Sequence, residues 1–357
     1  MTNVALGGQV QMLAAPLPYR AGPLSRFLAW LEAPPAWRPW VVLAALTFAL
    51  VAWAHGVLWA TGTLAPGTID VAAIILVFYI PYPLATGVIG RRILRTAVGA
   101  FWPATGWPES DRATWLYRFL NVPLRHEVAA VLVGLFAGTA ATISVPTGAL
   151  GSESARFADD VALGPIIIGG YIMISLSVVT VVNWLRLVAA IHEAATAIDP
   201  FDRGPVYAFS RLTVFVGLLI VAGTYYTWTV NAAFVAGNVP AQSLLPFTSV
   251  LGAAAFVVPL WGIHGRLVRR KDELMRDVDR RIRAAGTELY GRVDARAFEE
   301  SKSIHDSIAA LVMIRDRIRE LPTWPWPPQL LRGFISALLL PVIVYLLSRA
   351  VAGFVSL

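Results

Sequence analysis

The sequence contains no cysteine and little charge. Without cysteine there is no disulfide framework, no thiolate metal site and no cysteine nucleophile. Only 14% of the 357 residues are charged, whereas an average soluble domain carries roughly 25%; 57% are hydrophobic and the mean hydropathy is +0.64. An all-α protein embedded in a lipid bilayer is expected. Enzyme signatures are missing too: there is no GxxxxGK[ST], no GxGxxG after a strand, and no cluster of histidines and carboxylates. His192-Glu193 opens like a zinc-protease motif, but Thr196 stands where the second histidine ligand belongs. The pair reads as polar residues on a cytoplasmic helix extension, so no enzyme activity, metal or cofactor is expected. Residues 1–37 lack a basic start followed by an apolar stretch and a small-residue cleavage site, so no cleavable signal peptide is expected and the first membrane helix acts as its own signal. The net charge of +7 fits basic cytoplasmic loops, and no nucleic-acid partner is expected.

A bilayer core about 30 Å thick needs about 20 apolar residues per helix. Such runs fall at 38–60, 69–90, 127–146, 163–186, 212–236, 245–264 and 331–353, which predicts about seven transmembrane helices. Pro81 and Pro83 in the second run and Pro341 in the last are expected to kink these helices without ending them. Basic loops resist translocation. A cytoplasmic N-terminus places all of the 29 Lys and Arg inside except Arg156 and Arg349, with acidic Glu153, Asp159 and Asp160 outside in the third connection. Ionisable residues are scarce at mid-membrane. Asp70, Arg186, Arg332 and Arg349 lie near predicted helix ends, and His55 and His264 read as boundary residues, which weakens a proton-coupled transporter and favours a channel or a sensor.

The chain divides into a cytoplasmic N-terminal segment (1–37), a six-helix membrane region (38–264), a cytoplasmic helical insert with its linker (265–328), and a seventh membrane helix with an outside C-terminus (329–357). The stretch 266–321 holds nearly half of the charged residues. Leu267, Leu274, Val278, Ile282, Ala285 and Leu289, then Ile304, Ile308, Leu311, Ile314, Ile318 and Leu321, recur at helical spacing, which predicts two amphipathic helices broken near Gly286 and Gly291. Their apolar stripes face each other or equivalent stripes on other subunits, and Leu274, Val278, Ile282, Ile304, Ile308 and Leu311 are the candidate oligomer anchor. Four prolines in 321–328 enforce an extended linker, with Trp324 and Trp326 at the headgroup level. Ser110-Asp111 offers an N-cap for a short interfacial helix carrying Trp115, Leu116, Phe119 and Leu120.

Two intramembrane patches are candidate sites. In the fifth run Thr224, Tyr225, Thr227, Trp228 and Asn231 form a polar and aromatic patch, which serves either a small lipophilic ligand or interhelical hydrogen bonding. In the last run Pro341, Tyr345 and Ser348 form a mildly polar stripe that lines a pore if several copies meet. Ala130, Gly134, Gly138 and Thr142 repeat every four residues, a small-residue stripe for close helix packing.

Seven spans, an inside N-terminus, an amphipathic cytoplasmic insert after the sixth span and a short last span resemble the seven-transmembrane ion channel group that includes insect odorant and gustatory receptors. The resemblance implies a homo-oligomer, a tetramer in that group, held by a cytoplasmic helical anchor around a cation pore lined by the last helix. It is one of architecture: the gustatory pattern of Thr-Tyr, an apolar run and Gln-Phe is missing around Val342-Ile-Val-Tyr345, so no pore residue carries over. Segments 199–207 and 321–326 are similar to prokaryotic membrane proteins with no assigned function. The expectation is an oligomeric, multi-pass inner-membrane ion channel; the alternative is a sensor or small-molecule carrier binding a lipophilic ligand near the fifth helix.

Overall fold

Backbone polar groups left unpaired in hydrocarbon cost several kcal/mol each, and helices satisfy them locally. The computed structural model describes residues 17–143, 153–230 and 250–339. Its regular elements there are helices: α1 (Pro23–Glu32), α2 (Arg38–Ala60), α3 (Val71–Val77), α4 (Pro81–Thr105), α5 (Glu109–Leu120), α6 (Leu124–Ile143), α7 (Glu153–Ala194), α8 (Arg203–Tyr207), α9 (Ser210–Val230), α10 (Trp261–Asp294) and α11 (Phe298–Arg319). Residues 250–257 and 328–339 are helical as well. Among the described residues, five stretches are long and apolar enough to cross a bilayer: Arg38–Ala60, Leu124–Ile143, Val161–Ala194, Arg203–Tyr226 and Val250–Asp294.

The second apolar run does not form one helix. Proline has no N–H to donate and crowds the preceding turn, so α3 stops at Val77 and Pro81 and Pro83 occupy the first turn of α4, where the missing donor costs nothing. Helix α4 then carries Arg91, Arg92 and Arg95 and ends on Gly106, whose φ of 72° is a left-handed C-cap. Helix α7 runs for 42 residues, about 63 Å, and takes Glu153, Asp159 and Asp160 out of the expected connection and into its first turns. Helix α10 continues through Gly286 and Gly291; the chain reverses at 295–297, where Arg296 has φ 61°. Helix α5 begins at Glu109 after Pro108, one residue ahead of the expected Ser110 cap.

Close packing follows the small-residue stripe. A Cβ on Gly134 would lie 2.5 Å from Ile172 Cα and one on Gly138 would lie 2.7 Å from Ile168 Cα, while Thr142 meets Gly164, so α6 and α7 touch backbone to backbone along three turns. The main core gathers Phe101, Trp102, Phe119, Trp184, Phe209 and Leu260, with Trp115, Leu116 and Leu120 packed against it. Thus α5 turns its apolar face onto the protein. Trp184 fills the space that a side chain on Gly90 would need and donates its indole N–H to Phe119 O at 3.0 Å.

The N-terminal segment is stitched to the α5–α6 junction. Tyr19 Oη donates to Asn121 O (2.7 Å) and Tyr117 Oη donates to Tyr19 O (2.7 Å). Burial, with Tyr117 beside it, pushes the Tyr19 phenol up to about 12. Glu127, 2% exposed, caps α1 from the side: Oε2 accepts from Leu24 N (2.8 Å), and Oε1 accepts from Ser25 N (3.1 Å) and Ser25 Oγ (2.6 Å). Its negative charge sits at the positive end of the α1 dipole. At the other end of α1, Glu32 Oε2 takes Arg91 Nε (2.7 Å) and Arg95 Nη2 (2.8 Å), and Arg91 also donates to Leu120 O.

Candidate functional site at the base of the helical hairpin

The charged stretch folds as a hairpin. Val278, Ile318 and Leu321 are buried together, with Leu274, Met275 and Ile282 packed against them. Ile304, Ile308 and Leu311 are half-buried, at helical spacing with the buried Ile318 on α11. Of the six residues expected to anchor an oligomer, Leu274, Val278 and Ile282 therefore spend their stripe within the chain. Ile314, expected in the same stripe, is exposed, as are Val312 and Met313. Arg315 Nε pairs with Asp279 Oδ1 across the hairpin at 2.7 Å.

Cations on α10 tie the hairpin base to its neighbours. Lys271 Nζ donates to Arg319 O (2.5 Å) and Leu321 O (2.9 Å), satisfying carbonyls at the C-terminal end of α11. Arg266 Nη1 donates to Ala195 O at 2.5 Å and its Nη2 to Glu193 O, doing the same for α7. Both place positive charge where helix dipoles are negative.

The proline-rich linker is fastened by rings. His264 Nδ1 donates to Thr323 O (2.8 Å), so Nδ1 carries the proton. Its ring stacks on Trp324, with centroids 3.8 Å apart and planes 10° from parallel. Trp324 stacks on Trp326 (5.1 Å), Trp326 meets Phe256 at a tilt of 30° (4.7 Å), and Phe256 stacks on Phe334 (4.2 Å). A column of five rings thus runs from α10 through the linker to the helix that starts at residue 328. Phe334 in turn fills the place of a side chain on Gly217 of α9. Trp261 meets Trp324 edge-on at 5.9 Å.

The other expected positions fall as follows. Pro341, Tyr345 and Ser348 lie outside the described residues, as does Asn231; Thr227 and Trp228 are on α9 with side chains outside the described set. Tyr225 is half-buried, and Thr224 Oγ1 donates to Ile220 O of its own helix at 2.8 Å. The neighbouring Tyr226, not singled out in the sequence, donates to Ile75 O where α3 nears its end and meets the Tyr79 ring at 5.2 Å. His192 is no polar extension: it is 1% exposed, between the rings of Phe101 (4.7 Å) and Phe209 (5.3 Å), while Glu193 is exposed. His55 is buried too, donating from Nδ1 to Val51 O and accepting Asp70 N–H at Nε2 (both 3.0 Å), which fixes its tautomer.

Fold and site define an all-helical protein of the membrane-embedded class, with a charged hairpin wired to the helices beside it. Comparisons with protein-family models, with curated proteins and with solved structures find no match.

Proposed function

We propose that the protein is an oligomeric ion channel of the inner membrane with seven spans, N-terminus inside and C-terminus outside, its pore lined by the last helix. Broken α3–α4 supplies the second span, and the helix beginning at 328 leads into the seventh. The observation that carries the reading is the ring column: it joins the charged hairpin to the start of the last helix, so a movement of one is felt by the other. The exposed Val312, Met313 and Ile314 in an otherwise charged hairpin supply an apolar surface for assembly. Reconstituted in planar bilayers, the protein should pass current, with a conductance altered by Tyr345→Ala and Ser348→Ala. Met313→Asp should reduce the mass of the detergent-solubilised particle to that of one chain. A silent bilayer together with a monomeric wild-type particle refutes the channel.

A second reading is a sensor or carrier for a small lipophilic ligand at the fifth helix. It is favoured by the aromatic side chains gathered on and beside α9, the half-buried Tyr225 and the Tyr226 ring 5.2 Å from that of Tyr79. Tyr225→Ala would then abolish ligand-dependent stabilisation, with no current in either protein.

A further inference from the structure

Two clefts follow one another along the seam between the end of α7 and the start of α10. The first, about 420 Å³, is lined by Ala189, Val258, Pro259, Trp261 and Gly262, with Glu193 at its edge. The second, about 500 Å³, lies against Thr196, Ile198, Arg266, Arg269, Arg270 and Glu273. Positions 258, 262, 266, 269 and 273 advance by three or four, so one face of the 3-10 turn Val258–Leu260 and the α10 helix that follows it supplies both, changing from apolar to basic along its length. The apolar cleft opens beside Val258 and Trp261, both well exposed, at 66% and 60%. An exposed valine beside an indole is what an acyl chain covers, and tryptophan marks the headgroup level.

The basic cleft has cation to spare. Arg270 is partly occupied by Glu273 (3.0 Å). Arg266 uses two of its five N–H groups on α7 carbonyls. Arg269 is exposed and has no ion-pair partner among the described residues. Three guanidinium groups face two carboxylates, Glu193 and Glu273, and guanidinium forks match the oxygens of a phosphate.

We infer that this seam is a binding site for an anionic phospholipid, with the phosphate at Arg269 and Arg270 and an acyl chain along Val258, Trp261 and Gly262. The inference rests on the bilayer placement of the chain and not on the channel reading; a protein that passes no current can still hold the lipid. Native mass spectrometry of the full chain in detergent, titrated with phosphatidylglycerol or with phosphatidylcholine of the same acyl chains, tests it. The wild type should bind phosphatidylglycerol about 25-fold more tightly. Arg269→Ala/Arg270→Ala should remove most of that preference, about fivefold per arginine. Gly262→Leu fills the apolar cleft without a clash, since a Cβ there meets nothing within 4 Å; it should weaken both lipids. Inorganic phosphate at millimolar concentration should not displace them. Unchanged far-UV dichroism establishes that the variants fold. Equal binding of the two lipids by the wild type overturns the site, as does a preference that survives the double substitution. If inorganic phosphate displaces phosphatidylglycerol and Gly262→Leu binds it as the wild type does, the cleft takes a soluble phosphate compound and the lipid assignment fails.

Discussion

Replacing Glu127 by glutamine isolates one charge and one geometry. Both carboxylate oxygens accept from α1, Oε2 from Leu24 N and Oε1 from Ser25 N and Oγ. An amide offers one acceptor, so in either orientation its NH2 group faces a main-chain N–H and at least one bond is lost. Ser25 Oγ also accepts Val122 N–H at 2.9 Å, which ties its orientation to the same network. A hydrogen bond to a charged group contributes about 1.5–3 kcal/mol, and a buried donor left without a partner costs about 1–3 kcal/mol. Taking roughly 2–3 kcal/mol for the substitution, the N-terminal segment should open about 30 to 150 times more often. Arg20 and Arg26 lie in or beside that segment, so trypsin reads the opening directly: cleavage there follows the open population when reclosing is faster than cutting. Gly22 supplies the cross-check. A Cβ there would stand 2.7 Å from Oε1 of Glu127, so Gly22→Ala alone should also loosen the segment, and much less so once Glu127 is alanine. Wild-type cleavage rates in Glu127→Gln, or additive effects of the Gly22 and Glu127 substitutions, would refute the capping argument.

Gly134→Ala should destabilise the detergent-solubilised protein by about 1–3 kcal/mol, because the new methyl meets the backbone of α7 and not a movable side chain. Gly56→Ala on α2, where a Cβ meets nothing within 4 Å, should instead stabilise by about 0.5–1 kcal/mol; thermal melts that rank the two the other way contradict the α6–α7 seam. Lys271→Met should shorten amide-exchange protection at the end of α11 at a cost of about 1 kcal/mol, and unchanged exchange there would show that the carbonyl caps carry no stability. His264→Ala and Trp324→Ala should be coupled by about 0.5–1.5 kcal/mol beyond additivity, the range for stacked rings; strict additivity would break the column at its first contact.

The sequence was legible where a periodic pattern meets a nearby partner. Four small residues at a four-residue interval define a seam between consecutive helices, and α6 and α7 form it. Two amphipathic stripes separated by a short break define a hairpin, and α10 and α11 pack as one. What escaped sequence reasoning depends on partners far along the chain. Glu127 reads as an ordinary charge before an apolar run until residues 24 and 25 arrive about a hundred positions away. The five rings of the column come from three separate segments, and no single spacing links Phe256, His264, Trp324, Trp326 and Phe334. His192 was misjudged because its neighbour Glu193 is polar and exposed, while the roughly quarter-turn between adjacent helical residues is enough to bury one and solvate the other. The helix break at Pro81 was readable in principle: two prolines one residue apart fit a first turn better than a kink. The expected pore stripe and Asn231 lie outside the described residues.

The length of α7 has a consequence for how the protein sits in its lipid. The apolar part, Val161–Ala194, measures about 51 Å, against a hydrocarbon thickness of about 30 Å. Tilt alone does not absorb the difference: at about 40°, the steepest that membrane helices commonly adopt, the stretch still covers about 39 Å along the normal. Roughly two turns must therefore stand clear of the hydrocarbon. With Trp261 at the headgroup level, the projecting turns at this end are those past Ala189, which lines the same cleft, and the polar stretch from Glu193 to Thr196 then stands at the depth of the lipid phosphates, beside Arg266 and Arg269.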